Sequence, residues 1–216
     1  MRILSVAAPG NGSGKTLTLA AILQAFPGRL TAVKFTTVYR DGVNCPRTEK
    51  ACACRELHGD FRVVTDSKVL ETEESDTGRL ARAGARTVIW CLCRPGAHAE
   101  AWSHLQKIAR PDGSDLLTEG NTILGTIEPD LLLFVMSPRL PRQRWKADTW
   151  ALARRAAAVV LNSFEAPAGE VDALAAEVAL HRGGSRPPIV DVSQPLAGWA
   201  GGALRDMVAT TLGPAR

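Results

Sequence analysis

Apolar and polar positions along the chain follow two periods. Short runs that are apolar almost throughout, Ile3 to Ala7, Leu30 to Phe35, Arg86 to Leu92, Asp130 to Met136, Ala158 to Leu161 and Pro188 to Val192, predict strands. Unbroken apolar character over so few residues suits strands covered on both faces, as in a parallel sheet between helix layers. Between them, apolar residues recur every three or four positions. These stretches predict helices over Lys15 to Phe26, with Leu19, Ile22, Leu23 and Phe26 on one face, and over Asp76 to Ala83, capped by Ser75 or Asp76. Further helices are predicted over Ala97 to Ala109, Lys146 to Ala157, Gly169 to Leu180 and Leu196 to Leu212. Alternation of the two periods implies an α/β fold, a three-layer, doubly wound and mostly parallel sheet. In such sheets ligands gather beyond the carboxyl ends of the strands, so chemistry is sought there.

The first strand end carries Ala8-Pro9-Gly10-Asn11-Gly12-Ser13-Gly14-Lys15-Thr16. A loop that turns consecutive backbone N–H groups toward phosphate oxygens needs glycine to avoid Cβ clashes, and Gly10, Gly12 and Gly14 supply that freedom. Asn11 and Ser13 complete the candidate cradle. Lys15 offers a charge for terminal phosphates, Thr16 a hydroxyl for Mg²⁺, and the following helix would aim its positive dipole end at the ligand. Pro9 stands where the strict G-x-x-x-x-G-K-[ST] pattern has its first glycine.

Other strand ends add candidates. Lys34 interrupts the apolar run Thr31 to Phe35, and either snorkels to the surface or reaches into the site. Leu116-Leu117-Thr118-Glu119-Gly120-Asn121 ends an apolar stretch in a carboxylate, a hard oxygen donor suited to Mg²⁺ or to a helix cap. Asn162, after Val159 to Leu161, has an amide that matches a purine edge, and Asn is also a common turn residue.

At 216 residues without a visible linker or repeat, one domain over 1–216 is expected, with a cysteine-rich insert at about 37–58. The longest apolar stretch is too short to span a bilayer, and no signal-peptide pattern opens the chain, so a cytoplasmic location and no membrane partner are expected. A net charge of +4 is a mild basic excess that gives no case for nucleic acid. Its densest cluster, Arg139, Arg142, Arg144 and Lys146, reads first as a solvated loop and second as a loop beside bound phosphates.

Cys45, Cys52, Cys54 and His58 form Cys-x6-Cys-x-Cys-x3-His in the insert. Three thiols within ten positions of a polar loop suggest Zn²⁺ held as Cys3His or an iron–sulfur cluster; unliganded reactive thiols are the alternative. Arg47, Lys50 and Arg55 would favour thiolates. Cys91 and Cys93 flank Leu92 on one strand face, as core residues or as site-facing thiols.

Together these motifs resemble a group of phosphate-loop NTPases that includes dethiobiotin synthetase, cobyrinic acid a,c-diamide synthase and the accessory protein of molybdopterin-guanine dinucleotide biosynthesis. The Ala8 to Thr16 loop is similar to that of the cobyrinic acid synthase, Pro9 included. Lys34 falls where these families place a substrate-facing lysine, Glu119-Gly120 resembles their Glu-Gly at the magnesium site, and Asn162 resembles the base-contacting Asn of dethiobiotin synthetase. His58-Gly59-Asp60-Phe61, Asp76-Thr77-Gly78-Arg79 and Ala83-Gly84-Ala85 resemble the molybdopterin accessory protein. The resemblance implies an Mg-dependent enzyme of cofactor biosynthesis that uses ATP or GTP, with Lys15, Lys34 and Glu119 as catalytic residues and an unidentified small molecule or cofactor as second substrate. It also implies a homodimer. The alternative it leaves is a nucleotide-gated accessory protein or metallochaperone delivering a metal, cluster or pterin.

Overall fold

The computed structural model describes residues 1–39, 57–71, 73, 75–109 and 113–214. Eight strands, β1 (Ile3–Ala7), β2 (Leu30–Thr37), β3 (Phe61–Val64), β4 (Thr87–Cys93), β5 (Asp115–Glu119), β6 (Leu131–Met136), β7 (Ala158–Asn162) and β8 (Ile189–Val190), form one sheet. Their order is β3-β4-β2-β5-β1-β6-β7-β8. Every pairing is parallel except β3 with β4. The expected α/β fold with a mostly parallel sheet is therefore what the chain adopts.

Seven α-helices are described: α1 (Lys15–Ala25), α2 (Ser67–Leu70), α3 (Asp76–Arg82), α4 (His98–Ala109), α5 (Thr149–Arg155), α6 (Ala168–His181) and α7 (Ala203–Leu212). Strand alternation divides them between two faces. Leu4 and Val6 pack under α1, α3 and α7 with Leu19, Ile22, Leu23, Leu80 and Val208. Ala7, Leu132 and Phe134 pack under α4, α5 and α6 with Leu105, Leu152 and Val178. Hydroxyls buried in the sheet satisfy each other in pairs, Ser5 with Thr118 and Thr31 with Ser114, both at 2.7 Å.

Four elements depart from the periodicity. β3 and α2 follow the insert and carry no clear period, so the antiparallel edge was not expected; β3 is specified by pairing with β4, Phe61 opposite Cys93. The helix expected from Lys146 starts only at Thr149, because Lys146 is held in a turn whose carbonyl accepts from Thr149. The expected Leu196 to Leu212 helix is interrupted: Gly201 and Gly202 adopt positive φ (66° and 88°), and α7 begins at Ala203.

Candidate active site at the carboxyl edge of the sheet

β1 lies at the centre of the sheet, between β5 and β6, and the Ala8–Thr16 loop leaves its carboxyl end for α1. Gly12 and Gly14 have φ of 89° and 103°, a left-handed backbone that a Cβ resists. Gly14 has a second requirement. A Cβ there would stand 2.8 Å from Asn162 Nδ2 and 2.9 Å from Val192 Cγ2.

Three neighbouring strand ends hold the loop. From the end of β5, the Asn121 side chain accepts from Ala8 N–H (3.2 Å) and donates to Ala8 C=O (2.8 Å). From beyond β6, Lys146 N–H donates to Pro9 C=O at 2.9 Å. From β7, Asn162 Nδ2 donates to Ser13 C=O at 3.3 Å, while its Oδ1 accepts from Phe164 N–H at 3.0 Å. Both amide atoms of Asn162 retain capacity for one more partner. Within the loop, Gly10 C=O receives both the Ser13 hydroxyl (3.2 Å) and the Lys15 ammonium (3.0 Å). Lys15 is thus folded back over its own loop.

The sequence candidates converge on the α1 side of the sheet. Lys34 and Glu119 are register partners on β2 and β5. Thr16 Oγ1 donates to Glu119 Oε2 at 3.1 Å, and Glu119 is buried. Gly120 follows at φ 146°, where a Cβ would meet Phe35 Cβ at 2.9 Å. Lys34 forms an ion pair with Asp76, the first residue of α3, whose cap is the Ser75 hydroxyl accepting from Gly78 N–H.

Asp76 is marked in the sequence as a helix cap and as part of the Asp76-Thr77-Gly78-Arg79 motif, not as a partner of Lys34. It stands 42 positions from Lys34, across the insert, and only the fold brings the two together. The charges respond to one another. Burial lowers the Lys15 pKa below the ordinary lysine value; Glu119 opposes this, and Lys146 and Lys34 reinforce it. Burial alone would raise Asp76, but the hydrogen bond and charge of Lys34 outweigh it, with help from Arg79 and Thr16, and hold the carboxyl below its usual range.

Thr16, Glu119 and Asp76 make an all-oxygen donor set of a hydroxyl and two carboxylates beside a phosphate loop, which fits Mg²⁺. Among the described residues no group of three His, Cys, Asp or Glu side chains could hold a metal unaided. An ion completed by phosphate oxygens and water needs no such group. Cys45, Cys52 and Cys54 of the Zn or iron–sulfur expectation lie outside the described residues, and His58 is exposed. Cys91 and Cys93 are core residues on the α4 face, away from Lys34 and Glu119, and burial pushes the Cys91 thiol up to about 12. No described helix is long and apolar enough to cross a membrane.

No family model matches the chain, and no curated protein matches it in sequence. Among solved structures, the hydrogenase maturation factor HypB from Archaeoglobus fulgidus is similar over 99% of this chain and 91% of its own, at 14% identity and a TM-score of 0.52. LpxK from Aquifex aeolicus, in a structure with ATP, aligns over 76% of this chain and 49% of its own, at 14% identity and a TM-score of 0.46. At that identity the likeness to HypB speaks for fold alone: the two share an α/β fold built on one sheet.

Proposed function

We propose that this chain binds a magnesium nucleoside triphosphate at Ala8–Thr16 and uses it to activate a carboxylate, or to phosphorylate a small molecule, in cofactor biosynthesis. The observation that carries this reading is the hydrogen bond from Thr16 to buried Glu119, with the Lys34–Asp76 pair beside it, at the end of a loop whose glycines are set for anion binding. Phosphate would draw the Lys15 ammonium from Gly10 C=O, exchanging one acceptor for a charged one. Thr16, Glu119 and Asp76 would hold Mg²⁺, which screens phosphate charge when bound. In the transfer, an acceptor oxygen forms a bond to the γ-phosphorus as the bond to the β-phosphate oxygen breaks, leaving the diphosphate. Lys15 neutralises charge on the transferring group. Lys34, once released from Asp76, would face the second substrate. Asn162 would offer its remaining N–H and lone pair to the base.

Titration with ATP and GTP, with and without Mg²⁺, tests the reading. Tight Mg-dependent binding that Lys15→Ala abolishes is expected; no binding of either nucleotide by the intact protein would overturn it. The likeness in fold to a hydrogenase maturation factor, taken with Cys45, Cys52 and Cys54, favours a second reading, a nucleotide-gated accessory protein that delivers a metal, cluster or pterin. Hydrolysis stimulated by Zn²⁺ or an iron–sulfur donor and lost on Cys52→Ala would select it over the transferase.

A further inference from the structure

Four cations follow β6, and the fold treats them differently. Arg139 is paired with Glu165, and Arg142 with Glu177 while it also lies over the Trp145 ring at 3.9 Å. Arg144 and Lys146 are exposed, and their side chains have no hydrogen bond or ion pair among the described residues. These two stand against the phosphate loop: Arg144 C=O lies 2.9 Å from where a Gly10 Cβ would be, and Lys146 N–H is bonded to Pro9 C=O.

Lys146 is the more tightly set of the two. Its carbonyl accepts from Thr149 N–H (3.1 Å) and from the Thr149 hydroxyl (2.7 Å), so both of its peptide groups are anchored. Trp145 steadies the preceding turn, donating its indole N–H to Leu140 C=O at 3.2 Å and meeting Trp150 edge-on at 5.5 Å. The main chain of Lys146 is fixed at the loop, and its ammonium has no partner there.

Charge supplies the reason for a partner. In the free protein Glu119 opposes Lys15 and Asp76 pairs with Lys34, and in the loaded one Lys34 would turn to the second substrate, so neither arrangement leaves a spare cation beside Lys15. A triphosphate brings several further negative charges, and in a partly buried site these call for uncommitted cations. Lys146 is close enough for its charge to act on Lys15.

We infer that Lys146 is a second cation for the terminal phosphate of the bound nucleotide, approaching from the loop after β6 as Lys15 approaches from α1. The inference rests on nucleotide binding at Ala8–Thr16 as proposed above. It gives Lys146 a role that distinguishes triphosphate from diphosphate.

The test is equilibrium binding of MgATP, MgGTP, MgADP and MgGDP to the intact protein and to Lys146→Gln, Lys146→Arg, Arg144→Gln and Lys15→Ala. Lys146→Gln is expected to weaken the preferred triphosphate by about tenfold or more and its diphosphate by less than about threefold, as loss of one charge-assisted contact would. Lys146→Arg restores the difference, and Arg144→Gln, which removes the same charge nearby, leaves it unchanged. Equal losses for triphosphate and diphosphate, or an Arg144→Gln loss as large as that of Lys146→Gln, would overturn the inference by reducing Lys146 to part of a general field. So would an unaffected Lys146→Gln beside a Lys15→Ala protein that no longer binds, an outcome that leaves the nucleotide reading standing. Absence of binding by the intact protein would remove both.

Discussion

Gly14 is held by two independent constraints, its φ of 103° and the closeness of Asn162 and Val192. Gly14→Ala should cost about 1–3 kcal/mol, read as a lower denaturant midpoint, and should weaken nucleotide binding because the strain falls on the cradle itself. Lys15 gives a prediction in pH. Its lowered pKa means that the ammonium is lost as pH rises through a value below that of an ordinary lysine, so nucleotide affinity should fall on the alkaline side earlier than free lysine would suggest. Lys15→Arg, charged throughout, should move that limb upward in a series of Kd measurements. Asp76 has the opposite sign: its folded pKa lies below the unfolded one, so its stabilisation is present above the ordinary aspartate value and is lost as pH falls through the folded value. Asp76→Asn should lower stability at neutral pH and flatten the acid limb of a denaturation-midpoint profile. At this scale the sequence was informative wherever the signal was local. Three glycines before Lys15-Thr16, a lysine inside an apolar run and Glu119 before Gly120 each stand out by contrast with their neighbours. Asp76 and Lys146 are marked in the sequence only as a helix cap or motif residue and as part of a basic cluster, because their contacts with Lys34 and Pro9 cross long stretches of chain.

Among the elements, β5 does most to position the site, since it separates β1 from β2 and delivers both Glu119 and Asn121. Asn121→Ala would leave the Ala8 N–H and C=O without their side-chain partners in a buried place, at about 1–3 kcal/mol for each group left unsatisfied. A lowered melting temperature and faster amide exchange near Ala8 would be the readout; an unchanged exchange rate there would mean that Asn121 does not hold the loop. Nearly continuous apolar runs made most of the central strands legible, because burial on both faces favours apolar residues at almost every position. β3 was not legible, being four residues long and dependent on β4 for its pairing. Helix ends set by tertiary bonds, such as the start of α5, were likewise beyond periodicity.

Over the whole molecule the sheet is a partition. Lys34 and Glu119 stand on one face with α1 and α3, and the Cys91 and Cys93 thiols on the other with α4, packed among Phe35, Trp102 and Leu105. Buried thiols held in the protonated form react slowly, so a thiol reagent followed by peptide mapping should leave Cys91 and Cys93 unlabelled in the native protein and labelled after denaturation. The three clasps on the phosphate loop, from Asn121, Lys146 and Asn162, also act across strands that are distant in sequence. Because those bonds form as the sheet forms, the ordering entropy of the cradle belongs to folding and not to ligand capture. Nucleotide would then meet a rigid receptor, associate at a rate that orientation limits rather than loop rearrangement, and leave backbone order near Ala8 to Ser13 almost unchanged between the free and loaded states.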